Sequence, residues 1–226
     1  MIKIKRKPFA EIRAMLDPYA SFLNVGCGGC ASVCLGGGQK EVQELNVELE
    51  AVAAGRKNSL SIQGATVERA CNMAFLEELD ALVQGTECLG SMACSAGTQL
   101  IAERFPDTPV FPLVNTHAIG VDREVGVYEE NCRSCGDCVI GYTGGLCPIT
   151  RCAKGLFNGP CGGTQTKGMC EVDPAIPCVW HQIFERLSRQ GRVADILKVR
   201  EPMEWKNQVR RMVVQEPYQD RYLDEG

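Results

Sequence analysis

The sequence has few histidines, few aromatic residues and no long apolar run, and these shortages narrow the classes of protein it can represent. Only two of its 226 residues are histidines, and 6% are aromatic. No segment approaches the roughly 20 apolar residues of a membrane-spanning helix. No apolar segment follows the basic N-terminal residues, as it would in a secretory signal. We therefore expect a cytoplasmic protein without a membrane span.

Basic residues are also too few for a nucleic-acid-binding protein. The chain has 24 Lys and Arg against 28 Asp and Glu, a formal net charge of −4 and a pI near 5.4. Such a balance supplies no broad basic face for phosphates, so no nucleic-acid partner is expected. The single basic run, IKIKRK at residues 2–7, predicts an exposed first strand, with a patch for an acidic partner as the alternative.

Catalytic motifs are missing as well. The sequence has no phosphate loop, no GxGxxG turn and no Ser-His-Asp arrangement. We predict no catalytic residue in this chain.

Cysteine, by contrast, is abundant, with 14 in the chain. Cysteines in a secreted protein indicate a disulfide framework, whereas cysteines in a cytosolic protein indicate metal ligands. Because we expect a cytoplasmic protein, we interpret the cysteines as ligands of metal ions or iron–sulfur clusters.

The first part of the chain alternates apolar runs with helical patterns, which predicts a Rossmann-like, three-layer α/β domain with a parallel sheet over residues 1–125. The predicted helices are 8–20, 39–55 with Gly55 as C-cap, 67–80 and 91–105, and the predicted strands are 21–26, 59–66, 81–85 and 109–116. Ligands of such sheets bind at the carboxyl ends of the strands.

The character of the sequence changes after the α/β part. Residues 126–182 are rich in glycine and cysteine, which predicts a small irregular domain held together by bound metal. Residues 183–226 are assigned to a C-terminal helix and docking arm. The helical pattern itself resumes near Pro177, with an apolar stripe of Trp180, Ile183, Phe184 and Leu187 predicted as core. The segment EPMEWKNQVRRMV is the candidate docking arm.

The turn after the first buried strand reads NVGCGGCASVC and contains three closely spaced cysteines, Cys27, Cys30 and Cys34. Glycines allow backbone amides to approach the sulfurs, so the turn predicts one metal or cluster site. A fourth ligand should come from another strand-to-helix turn. Cys94 is preferred, with Cys71 and then Cys88 as alternatives. The Gly36–Gly38 run predicts only a flexible connecting segment.

The segment CRSCGDC has the CxxCxxC spacing of a ferredoxin ligand loop, formed by Cys132, Cys135 and Cys138. A distant cysteine, Cys178 or Cys147, would complete this site. The metal held by the other cysteines, iron or zinc, stays open, because their wide spacing does not discriminate. In the assignment with Cys178 in the ferredoxin-like site, these are Cys147, Cys152, Cys161 and Cys170.

A combination of motifs carries a family resemblance: GCGGCASVC, SMACSAG, ENCRSCGDCVIGYTGGLCPITRCAKGLFNGPCGG, MCEVD and REPMEW. The chain resembles, from about Phe22 to the tail, the small cysteine-rich iron–sulfur subunits of acetogen-type methylenetetrahydrofolate reductases. The same family occurs as a C-terminal domain of some bacterial reductase-like proteins.

This resemblance implies an electron-transfer subunit of an oxidoreductase complex in one-carbon metabolism. Two to three 4Fe–4S clusters would pass electrons from a donor subunit or ferredoxin to a flavin-containing catalytic subunit, and FMN is expected only in that partner. Zinc is implied as an alternative in one site. Two other functions stay open: a zinc-bearing structural scaffold, and an accessory subunit of a corrinoid-dependent methyl-transfer system.

Overall fold

A computed structural model of the chain describes residues 1–53, 60–204 and 213–219. The chain forms two compact units, Met1–Asn131 and Cys132–Gly226. Their strands are β1 (Ile2–Arg6), β2 (Ser21–Cys27), β3 (Ser61–Val67), β4 (Cys88–Ser91), β5 (Val110–Pro112), β6 (Val114–Glu124) and β7 (Val127–Cys132). Their helices are α1 (Phe9–Leu16), α2 (Cys30–Val33), α3 (Gln39–Ala53), α4 (Met73–Leu76), α5 (Asp80–Val83), α6 (Ser95–Arg104), α7 (Pro148–Arg151) and α8 (Val179–Arg189).

The first unit is a mixed α/β structure built on a four-stranded parallel sheet with the order β3-β2-β4-β5. The central strand β2 pairs with β3 from Ser21 opposite Ser61 to Cys27 opposite Val67. It pairs with β4 from Phe22 to Val25. The apolar face of α3, with Val42, Leu45 and Leu49, is buried in the same core as β2. The prediction of a parallel α/β sheet is confirmed.

Most predicted elements of this unit are present. Helix α1 ends at Leu16 with Asp17 as its C-cap, short of the predicted end at residue 20, because Pro18 has no backbone N–H to continue the helical hydrogen bonds. Helix α3 begins at Gln39, and the predicted C-cap, Gly55, lies outside the described residues.

The strand predicted at residues 81–85 is wrong. Residues 80–83 are helical, the chain turns at Gly85 with φ +81°, and the strand follows as Cys88–Ser91. Periodicity cannot separate a short strand from a helical turn when the apolar run is as short as Ala-Leu-Val. The tertiary context selects the next segment, because all four of its residues are buried beside β2.

A second, antiparallel sheet in this unit has the order β1-β6-β7. The strand predicted at 109–116 is divided at the buried Leu113, so β5 lies in the parallel sheet and β6 pairs with β1. The first strand is confirmed, but its predicted exposure is wrong at Lys3, which is 5% exposed. Its Nζ lies 2.8 Å from Asp122 Oδ1 and 2.9 Å from the centre of the Tyr128 ring.

The second unit is mostly irregular around the amphipathic helix α8. Trp180, Ile183 and Leu187 are buried with Leu146 and Val179, which confirms most of the predicted apolar stripe. Phe184 is 50% exposed, so its assignment to the core is wrong. The core of the proposed docking arm, residues 205–212, lies outside the described residues.

Candidate metal centres

The topology of the parallel sheet brings three cysteine-bearing turns to one edge. Neighbouring parallel strands end at the same edge, and β3, β2 and β4 are neighbours. Cys27 is the last residue of β2, Cys30 begins α2, and Cys34 follows α2. Cys94 follows β4 as the N-cap of α6, and the exposed Cys71 follows β3.

Cys88, the third alternative for the fourth ligand, lies at the other end of the sheet. It is the first residue of β4 and pairs with Phe22 near the start of β2. Burial, with a smaller contribution from the Glu87 carboxylate, raises the pKa of its thiol to about 12. Cys88 is therefore a structural core thiol, and Cys94 and Cys71 are the alternatives at the edge that carries Cys27.

The turn after β2 holds its cysteines in a crowded backbone. The amide of Cys27 donates to Gly37 O at 2.9 Å. A Cβ on Gly37 would overlap the carbonyl oxygen of Met92, and one on Gly38 would lie 2.5 Å from Ser32 Oγ. The interpretation of Gly36–Gly38 as a flexible connecting segment is wrong, because the absence of a side chain at Gly37 allows its backbone to pack against the backbone of Met92.

Cys34 is buried at the wall of an open groove of about 700 Å³. Its Sγ lies 3.5 Å from Ala31 O and 4.0 Å from Ile4 O. Burial raises the pKa of this thiol, and the Lys3 ammonium opposes that shift. The groove is lined by Lys3, Ile4, Lys5, Arg6, Cys34, Leu35, Gly36, His117, Ala118, Tyr128, Glu129 and Glu130.

In the second unit, the CxxCxxC loop turns back so that a backbone amide meets a sulfur. The amide of Ser134 donates to Cys132 Sγ at 3.3 Å, and Ser134 has φ +52°. Gly136 follows with φ +90°, and Cys135 Sγ lies 3.7 Å from Asp137 O. Amide donation to sulfur stabilises a thiolate and orients it as a ligand.

A similar turn occurs at Cys161, where the amide of Gly163 donates to Cys161 Sγ at 3.4 Å. The same sulfur lies 3.3 Å from Glu171 Oε1, and this carboxylate also forms an ion pair with Lys154. Glu171 occupies the space beside Gly163, since a Cβ there would overlap its carboxylate.

Cys178 is the N-cap residue of α8, and polar groups surround its sulfur. Partial burial raises the pKa of the thiol. A hydrogen bond with Thr164, at 3.2 Å, and hydrogen bonds from the amides of His181 and Trp180 lower it, and together they outweigh burial, so the net pKa is below its usual range. The helix N-terminus thus favours the thiolate that a metal site needs.

Cysteines also occupy both ends of the short helix α7, with Cys147 as N-cap and Cys152 as C-cap. Cys170 lies in the segment that approaches α8, where its amide donates to Ile176 O at 2.8 Å. Of the two histidines, His117 is exposed, and His181 Nε2 lies 3.4 Å from a Glu185 oxygen.

Across residues 1–53, 60–204 and 213–219, no three Cys, His, Asp or Glu side chains are arranged to hold a metal ion. The donor chemistry still fits, because thiolates supplied with backbone amides are the ligands that iron–sulfur clusters and zinc use. The assignment of individual cysteines to sites stays a prediction.

Sequence reasoning missed an ion pair between a residue of the CxxCxxC loop and a distant arginine. Arg200 Nη2 lies 2.8 Å from both carboxylate oxygens of Asp137, which is within this loop. The pair is separated by 63 positions in sequence. The only signal in the sequence is that Arg200 begins the REPMEW segment, whose role spacing could not show.

These features define a mixed α/β protein with cysteines at one edge of a parallel sheet and throughout a second, irregular unit. Residues 111–206 match the model of a family described as methylene-tetrahydrofolate reductase C terminal. The matched region contains the eight cysteines from Cys132 to Cys178. The match associates this part of the chain with methylenetetrahydrofolate reductase and agrees with a subunit related to an oxidoreductase.

No curated protein and no solved structure shows significant similarity to the chain. Within the part of the chain that the structure describes, none of the helices has the length and apolar character needed to cross a membrane.

Proposed function

We propose that this chain is an electron-transfer subunit of a methylenetetrahydrofolate reductase complex, in which 4Fe–4S clusters carry electrons to a flavin-containing catalytic subunit. The family match over residues 111–206 supports the complex. The observation that carries the electron-transfer role is the CxxCxxC loop, in which the Ser134 amide already donates to Cys132 Sγ. The CxxCxxC spacing is that of an iron–sulfur ligand loop, and amide hydrogen bonds to sulfur are among the contacts that set a cluster's potential.

The first site belongs to the Rossmann-like sheet of the first unit. Cys27, Cys30 and Cys34 would bind from the turn after β2, and Cys94 from the start of α6. The Ser95 amide donates to Thr116 Oγ1 at 2.8 Å, which fixes the backbone beside Cys94. Cys94 is also less exposed than Cys71, as expected for a ligand enclosed by protein.

The second site is in the irregular unit. Cys132, Cys135 and Cys138 would bind from one loop, and Cys178 would complete the set, because its hydrogen bonds favour the thiolate. The four remaining cysteines form the ligand set of a third site with iron or zinc: Cys147, Cys152, Cys161 and Cys170.

In this proposal, the residues of this chain bind the clusters and orient the cysteine ligands. Backbone amides at Ser134 and Gly163 donate to sulfur, and the N-terminus of α8 stabilises the Cys178 thiolate. A four-iron cluster, when bound, supplies one-electron chemistry. The electron donor would be another subunit or a ferredoxin, FMN would reside in the catalytic partner, and the complex would be cytoplasmic.

Metal and sulfide analysis of the anaerobically purified chain tests this proposal. We expect a brown protein with about four irons and four sulfides per cluster. Cys135→Ser should lose about one cluster's iron, whereas the matched control Cys88→Ala should retain it, because Cys88 lies at the opposite end of the sheet from Cys27. A colourless chain with stoichiometric zinc would contradict electron transfer and favour a structural scaffold.

A further inference from the structure

A segment near the end of the second unit, residues 192–200, contacts both cysteine-bearing parts of that unit. Arg192 Nη2 donates to Gly141 O at 2.7 Å, just beyond the CxxCxxC loop. Lys198 Nζ and Arg200 Cζ lie 5.2 and 5.4 Å from the centre of the Tyr142 ring. We call residues 192–200 the strap.

Arg200 makes the contact that reaches the loop itself. Its Nη2 lies 2.8 Å from both Oδ1 and Oδ2 of Asp137, and its side chain is 26% exposed. Asp137 lies between Cys135 and Cys138 in the sequence, so Arg200 contacts a residue of the ligand loop itself. A hydrogen bond between two charged groups is about twice as strong as a neutral one.

The backbone of Arg200 is fixed by a second part of the unit. Its amide donates to Asn158 Oδ1 at 2.9 Å, and Asn158 Nδ2 donates to Arg200 O at 2.8 Å. Asn158 lies between Cys152 and Cys161. One residue therefore ties the CxxCxxC loop to the segment that carries the other group of cysteines.

The contact between Arg200 and Asp137 also changes the charge beside the cysteine ligands. The Asp137 carboxylate adds a negative charge beside three cysteine ligands, and like charges at short range repel one another. The Arg200 guanidinium neutralises that carboxylate at hydrogen-bonding distance. Arg is suited to this task, because its planar fork holds a carboxylate in a fixed orientation and does not titrate in proteins.

We propose that Arg200 is a positioning residue that holds the Cys132–Cys138 loop in its ligand-binding conformation and offsets the charge of Asp137 beside the bound cluster. The first part of this role concerns the folded chain alone. The second part rests on the proposed function, because it requires a cluster in the loop.

Amide hydrogen exchange of the metal-free full chain tests the positioning role. Exchange of the Ser134 amide, which donates to Cys132 Sγ, should become faster by a few fold in Arg200→Ala, because a partly exposed ion pair contributes up to about 1 kcal/mol. Asp137→Asn should show the same direction, and it carries the test if Arg200→Ala fails to fold. Arg200→Lys should restore part of the protection.

Lys198→Ala is the matched control, because Lys198 lies in the same strap and beside the same Tyr142 ring but pairs with Asp195. Its exchange in residues 132–138 should match the wild type. The positioning role is overturned if Arg200→Ala leaves this exchange unchanged, or if Lys198→Ala accelerates it equally.

The midpoint potential of the second cluster, followed by EPR in anaerobic redox titrations, tests the charge role. Arg200→Ala should lower the potential, because it leaves a negative charge beside the site. Asp137→Asn should raise it, and the double variant should return toward the wild type. Equal shifts in Arg200→Ala and the double variant would overturn this role. A chain that binds no iron would refute the proposed function and the charge role, while the exchange measurement still decides the positioning role.

Discussion

Substitution of Gly37 by alanine should strongly destabilise the first unit. Gly37 follows α2 in the turn that connects the first cysteines to α3. An added Cβ would overlap the carbonyl oxygen of Met92 and lie 2.9 Å from its carbonyl carbon. Both clashing atoms belong to the backbone, so no side-chain rotation can relieve the overlap.

The expected cost follows from two effects. Overpacking of a tight interior costs about 1–3 kcal/mol. Separation of the segments also strains the bond from the Cys27 amide to Gly37 O, at 2.9 Å, and that from the Gly37 amide to Ala31 O, at 3.1 Å. Each such bond contributes about 1 kcal/mol. We expect the free energy of unfolding to fall by about 3 kcal/mol or more.

Amide exchange under native conditions, combined with urea unfolding, measures this loss in the metal-free protein. Peptides from β2 should lose protection in Gly37→Ala. Gly85→Ala is the control, because Gly85 has φ +81° and a Cβ there meets no atom within 4 Å. It should cost only about 1 kcal/mol of backbone strain.

A small loss in Gly37→Ala would refute this reasoning. If Gly37→Ala costs less than Gly85→Ala, the close approach of Gly37 to Met92 does not constrain the turn. The turn would then be flexible, as the sequence pattern alone indicated.

Three further predictions concern other buried groups. Because folding raises the pKa of Cys88 from 9.0 to about 12, the free energy of unfolding of the wild type should fall between pH 9 and 12, by at most about 4 kcal/mol. Urea unfolding at several pH values measures this, and Cys88→Ala should lack this part of the pH dependence. An unchanged pH dependence in Cys88→Ala contradicts the pKa shift. Trp180→Phe removes the Nε1 donor to Leu156 O at 3.0 Å and should cost about 1 kcal/mol by urea unfolding; a neutral effect means that this hydrogen bond contributes no net stability. Asp122→Asn should destabilise the chain more than Lys3→Met, because it leaves the buried Lys3 ammonium without a carboxylate partner. Thermal unfolding that gives the reverse order contradicts this.

The sequence predicted the elements whose local pattern agrees with their tertiary role. The first buried strand is apolar and ends at the glycine-rich cysteine turn, and β2 occupies Ser21–Cys27, one residue beyond the predicted 21–26. Helix α3 has an apolar stripe at helical spacing and begins at Gln39. In these segments, propensity, periodicity and burial all favour the same structure.

Other features depend on contacts that no local pattern encodes. The strand Cys88–Ser91 is short and contains a glycine, and its burial beside β2 decides its conformation. Lys3 is buried because Asp122 and Tyr128 come from distant strands.

The candidate sites also combine features that the sequence predicts with features that depend on distant contacts. Spacing and the family resemblance were enough to predict the cysteine groups as ligand candidates. The contact between Arg200 and Asp137 spans 63 positions, so no local sequence pattern encodes it. Partition of the cysteines among sites remains a prediction, because close spacing constrains only cysteines within one turn.

The division at Leu113 has a consequence for fragments of this protein. The Leu113 amide donates to Ser91 O in the parallel sheet, and its carbonyl accepts from Lys7 beside β1, so one residue serves both sheets. The family match begins two residues earlier, at residue 111. A fragment that begins at residue 111 would contain β6 and β7 but not β1, and the remaining N-terminal part would have β1 without β6, the strand with which it pairs. Expression of the cysteine-rich unit should therefore start at Cys132, where the compact unit begins, and not at the edge of sequence similarity.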